Sequence, residues 1–129
     1  MIVVDTNLLV RLLTKDDPNQ AKRAAKIIES DVIFIPKTVM LETEWVLRHA
    51  YEINKDAIII GFQKIMGLPN VRVEDQQTVF QAISWYESGL DFADALHLAS
   101  SMKADGFVTF DKKFIKKARK IISFDITLP

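Results

Sequence analysis

Five short runs, Ile2–Val4, Val32–Ile35, Val71–Val73, Phe107–Phe110 and Ser123–Leu128, are each too short for a helix, and helical stretches separate them. That alternation constrains the fold more than any other feature. Strands joined by helices pair in parallel through right-handed crossovers, so a three-layer α/β/α sandwich with a central, mainly parallel sheet is expected. Ile2–Val4, Val32–Ile35 and Phe107–Phe110 read as buried strands, Val71–Val73 as a short strand and Ser123–Leu128 as an edge strand. With 129 residues, 49% of them hydrophobic, one core and one domain over residues 1–129 are expected.

Charge totals narrow the partners only a little. Lys+Arg and Asp+Glu both number 17, so no global surplus announces a nucleic acid or a membrane. Cysteine is absent, which excludes disulfides and thiolate metal sites and fits a reducing compartment. Met1-Ile-Val-Val-Asp5 lacks a basic leader and a cleavage site, and no 18-residue apolar span occurs anywhere. A soluble, cytoplasmic protein without a membrane partner is the expectation.

The helical stretches carry acids at particular places. Thr6-Asn7 opens a helix through Leu13, directly after the first strand, so Asp5 sits where open α/β sheets bind ligands. Pro18 starts a helix through Glu29, with Lys22, Arg23 and Lys26 toward solvent. Thr38 is expected to cap a helix to about Tyr51. On it, Glu44 has Arg48 four residues on and reads as a solvated ion pair, whereas Glu42 lies on the rim of the apolar face with no cation at i+3 or i+4. A helix from Asn54 to Met66 is apolar enough for core and a subunit interface. After a helix over Gln76–Glu87, Gly89 interrupts the chain. Asp91-Phe-Ala-Asp94-Ala-Leu-His97-Leu-Ala-Ser100 then begins an apolar helix to Ala104 with acids on its first turn. Asp111 follows the fourth strand and precedes Lys112, Lys113, Lys116, Lys117, Arg119 and Lys120.

Each acid has an ordinary explanation, since Asp5, Asp91 and Asp94 stabilise helix starts by about 1 kcal/mol or less. Together they suggest something else. Asp5 and Asp111 follow strands at the same expected sheet edge, and Glu42 and Asp94 lie on the first turns of helices that start there. Two carboxylates about 4 Å apart repel by roughly 4 kcal/mol at an effective dielectric of 20, so such a cluster requires protons or a cation. Mg²⁺ or Mn²⁺ suits oxygen ligands without cysteine or paired histidine.

Val4-Asp5-Thr6-Asn7, Glu42, Phe-Ala-Asp94-Ala-Leu-His-Leu-Ala and Thr109-Phe-Asp111-Lys-Lys-Phe resemble the PIN domain, in this order over essentially the whole chain. The length and spacing are most similar to the VapC toxins of VapBC toxin-antitoxin pairs. The resemblance implies a Mg²⁺- or Mn²⁺-dependent endoribonuclease that cuts RNA by water attack on phosphorus. It implies that Asp5, Glu42 and Asp94 are metal ligands and Asp111 the fourth acid, with Thr6, Asn7 and Thr109 as supporting polar groups. Asp91 is an accessory candidate. His97 recurs in the subgroup's motif but points away from the inner flank of Asp94 on a helical wheel. A homodimer and inhibition by a VapB-like antitoxin are further implications.

Lys112, Lys113 and Lys116 are candidates for RNA contact, against the plainer reading of a solvated face. The balanced total charge suits recognition of one structured RNA loop better than indiscriminate binding. Two other classes share these features. A phospho-acceptor receiver or aspartyl-phosphate phosphatase has this size and acids at strand ends, but needs a further acid beside the first, where Thr6-Asn7 stands. A non-catalytic binding module would use the acids only as caps.

Overall fold

In the computed structural model, which describes residues 1–129, every strand pairing is parallel. Residues Met1–Gln76 and Gln77–Pro129 form two compact units. No helix is long and apolar enough to cross a membrane.

The first unit holds a sheet of β1 (Ile2–Val3), β2 (Ile33–Ile35) and β3 (Val71–Val73), in that order, with Ile2 opposite Ile33 and Ile33 opposite Val71. Two helices make each crossover: α1 (Thr6–Thr14) and α2 (Pro18–Ser30), then α3 (Lys37–His49) and α4 (Lys55–Met66). Such double-helix crossovers satisfy the parallel pairing that the alternation demands. The middle strand carries the core, with Ile33 and Ile35 wholly buried. β1 differs from the buried strand expected at Ile2–Val4: Val4 is buried, but Ile2 is 39% and Val3 61% exposed. It pairs on one side only within its sheet, and an edge strand keeps a wetter face.

Helix starts follow local rules where a short polar residue is available. Asp5, Asp17 and Asn54 accept bonds from the amides of Leu8, Gln20 and Ala57, each three residues on. Thr38 does not cap α3 as expected. The helix begins earlier, after Pro36, and the amide of Lys37 instead donates to Glu74 Oε1 at 2.9 Å. A carboxylate brought by the chain after β3 thus does the capping. Asn70 similarly donates to the carbonyls of Ile28 and Asp31, closing the end of α2.

Glu44 also departs from its solvated reading. The ion pair with Arg48 forms at 2.6 Å, but Glu44 is 1% exposed while the Arg48 side chain keeps 36%. A guanidinium with a long stem can satisfy a buried carboxylate and still reach water. Beside it, Thr43 is wholly buried and its Oγ1 has no hydrogen-bond partner. Thr43→Val keeps the shape and removes that hydroxyl, so chemical denaturation should show a gain of about 1 kcal/mol. A loss of similar size would mean that the hydroxyl is satisfied in solution.

The second unit holds α5 (Gln76–Glu87, opening at the boundary), α6 (Phe92–Ala99) and α7 (Lys112–Arg119). Its two strands, β4 (Phe107–Val108) and β5 (Ile126–Thr127), form a parallel pair. Gly89, at φ +119, makes the turn from α5 into α6, a conformation that a side chain would strain. Phe92 is wholly buried with its ring centroid 5.2 Å from that of Tyr86, fixing the start of α6 against α5. α6 ends at Ala99 rather than Ala104, and Ser101 Oγ closes the last turn by donating to the His97 carbonyl at 2.6 Å. The run Phe107–Phe110 is not a buried strand: Val108 is 63% and Phe110 84% exposed. Its inner anchor is Phe107 packed on Phe114, ring centroids 5.5 Å apart.

Candidate active site

Within the first unit, the turn from β1 into α1 presents two of the expected groups. Asp5 has extended backbone and caps α1, its Oδ1 accepting from Leu8 N at 3.1 Å, and remains exposed. Thr6 follows and is buried, and its hydroxyl donates to Glu42 Oε1. That bond holds the second turn of α3 against the start of α1. It brings together two acids 37 positions apart, Asp5 and Glu42, with Thr6 between them as an orienting donor. Glu42 is itself exposed, and Asn7 is exposed beside it on α1.

Within the second unit, two helix starts each carry a capping acid. Asp91 caps α6, accepting from Asp94 N at 3.2 Å, and Asp111 caps α7, accepting from Phe114 N at 3.0 Å. Thr109 Oγ1 accepts from the Asp111 amide at 3.0 Å, which sets the turn before α7. Burial first, and then the charges of Asp91 and Asp111, hold the Asp94 carboxyl above the usual carboxylate range. His97 and Lys117 act in the opposite direction. His97 is exposed, and its influence on Asp94 is through charge.

The expected acids are therefore gathered as Asp5 with Glu42 in one unit and Asp94 with Asp91 and Asp111 in the other. Within neither unit do three or more Asp, Glu or His side chains close into a group placed to hold a metal ion. The donor chemistry nevertheless fits a hard divalent cation, because all candidate ligands are carboxylates and Asp94 already bears the strain of like charges. Lys112, Lys113 and Lys116 all lie exposed on α7.

The sequence pattern places Phe110 in a buried strand and Leu128 in an edge strand, whereas Phe110 is exposed and Leu128 lines a groove of ≈ 450 Å³ with Lys112, Ile115, Lys116 and Arg119. An aromatic residue directly before a basic run was the available signal.

The family model described as PIN domain matches residues 2–120. A solved structure, that of the Mycobacterium tuberculosis toxin VapC20, described as cleaving the sarcin-ricin loop, is 24% identical, covering 90% of this chain and 94% of that one, with a TM-score of 0.45. No curated protein matches the chain.

Proposed function

This chain belongs to the PIN-domain family, and from that premise we propose that it is a Mg²⁺- or Mn²⁺-dependent endoribonuclease of the VapC toxin type. It hydrolyses RNA phosphodiester bonds as one functional domain over residues 1–129. The observation that carries this reading is the placing of Asp5 and Asp111 as caps where β1 and β4 give way to helices, each accompanied by a second acid from another helix, Glu42 or Asp94.

Asp5, Glu42, Asp94 and Asp111 are the carboxylates we propose as metal ligands, from the family likeness and their oxygen chemistry. The chemistry such an ion supplies when bound is positive charge that acidifies water and offsets charge developing on a phosphodiester. The chain's own contribution is orientation. Thr6 fixes one oxygen of Glu42, leaving the other available. Asp91, by accepting the Asp94 amide, fixes the backbone from which that side chain projects. Thr109 does the same for Asp111. Burial and like charge raise the proton affinity of Asp94, so a cation binding there competes with a proton.

Purified protein should cut single-stranded RNA in Mg²⁺ or Mn²⁺ and stop in EDTA. A metal bound only by the folded state should also stabilise it by about 2.7 kcal/mol at a hundredfold excess over its dissociation constant. No cleavage together with no Mn²⁺-dependent shift in melting would leave only a binding module. Resting on the same resemblance, we propose a homodimer inhibited by a VapB-like antitoxin in the cytoplasm. Light scattering that shows only monomer at high concentration would refute the dimer.

A further inference from the structure

Phe110 is the most exposed aromatic side chain of the protein, at 84%, and stands directly before the cap of α7. An apolar ring left in water keeps its burial free energy available to a partner. On the helix that follows, Lys112, Lys116 and Arg119 are spaced four and three residues apart and share one face. With Ile115 and Leu128 they line the groove of ≈ 450 Å³, and no acidic side chain lines it. Arg119 is partly engaged, one Nη donating to the Ile126 carbonyl at 2.9 Å, which ties the groove wall to β5. Lys112 and Lys116 are exposed and lie about 6 Å apart along the axis, from the helical rise of 1.5 Å per residue.

An exposed ring at one end of a row of cations on an apolar floor matches the two recurring parts of a single-strand site, a stacking platform and a basic track. An acidic peptide would use the cations but has no need of the ring. We propose that Phe110 and the Lys112–Lys116–Arg119 groove form a subsite for single-stranded RNA, in which one unpaired base stacks on Phe110 and the following phosphates run along α7. The subsite rests on the reading that the substrate is RNA. It adds a direction, placing the base next to Asp111 and the flanking strand away from it along α7. Phe110 is then a positioning residue, and specificity at that base comes from stacking strength and strand flexibility.

The test is equilibrium binding in EDTA, where no cleavage occurs, of a short oligouridylate carrying a single 2-aminopurine. Phe110→Ala should weaken binding about tenfold and abolish the quenching of the 2-aminopurine, whereas Phe110→Trp should retain both. Lys112→Gln combined with Lys116→Gln should lower the slope of log Kd against log salt by about 1.4, or roughly 0.7 per lost phosphate contact. Wild-type affinity and quenching in Phe110→Ala would overturn the subsite. An equal loss for a duplex of the same sequence would also do so, as would conversion of a dimer to a monomer at unchanged affinity per chain. Because binding is read without chemistry, failure of the nuclease reading appears separately, as wild-type protein that binds the strand as described but never cuts it.

Discussion

Asp94→Asn should lower metal-dependent RNA cleavage by about a thousandfold, the equivalent of roughly 4 kcal/mol of charge stabilisation withdrawn from the reaction. The same change should leave the fold intact, since Asn keeps the shape and the amide bond to Asp91 uses the backbone of residue 94. In metal-free protein it should even be stabilising at neutral pH. Burial and the charges of Asp91 and Asp111 raise the Asp94 carboxyl, so the folded state disfavours its ionised form. Stability linked to this group is complete below the ordinary carboxylate range, near pH 4, and is lost as pH rises through the raised folded value. The advantage of the Asn variant should therefore be present at pH 7 in EDTA and shrink on acidification. Thermal melts across pH read it directly. EDTA-sensitive cleavage at the wild-type rate, or an advantage that grows in acid, would remove Asp94 from the site.

Phe92→Ala should cost about 3–5 kcal/mol, the ordinary consequence of emptying a wholly buried phenyl site. Against a typical total of 5–15 kcal/mol, that leaves a protein close to its unfolding threshold. The ring sits between the Asp91 cap and Asp94 and stacks on Tyr86, so its loss frees the start of α6 from α5. Urea denaturation measures the loss, and hydrogen exchange should show the α6 amides opening first. A change below about 1 kcal/mol would mean that the interior collapses around the gap at little cost.

The two variants separate charge from packing. Asp94→Asn should remove activity and keep stability, whereas Phe92→Ala should remove stability and lower activity only in proportion to the unfolded fraction. A protein that used its acids only as caps would show the reverse for Asp94, a small stability effect and no activity to lose.

How much of this was legible beforehand follows from the range of each interaction. Helix starts at Asp5, Asp17, Asn54, Asp91 and Asp111 were readable because a side-chain oxygen meets an amide only three residues away. Parallel pairing was readable because strands separated by helices leave no hairpin route. The order of acids along the chain was enough to suggest the PIN family, whose model then matched.

What local pattern could not supply was anything set by partners far along the chain. The cap of α3 comes from Glu74, 37 residues from Lys37, so Thr38 looked like the better candidate. Glu44, with Arg48 four residues on, reads in sequence as the solvated acid and Glu42 as the one on the apolar rim, yet packing buries the first and exposes the second. The hydroxyl of Thr6 reaches Glu42 across 36 positions, and Phe110 stands out in water although its neighbours read as strand. Periodicity reports which residues share a face of one element. Which faces meet, and which carboxylates thereby lose their water, is decided only when the elements pack.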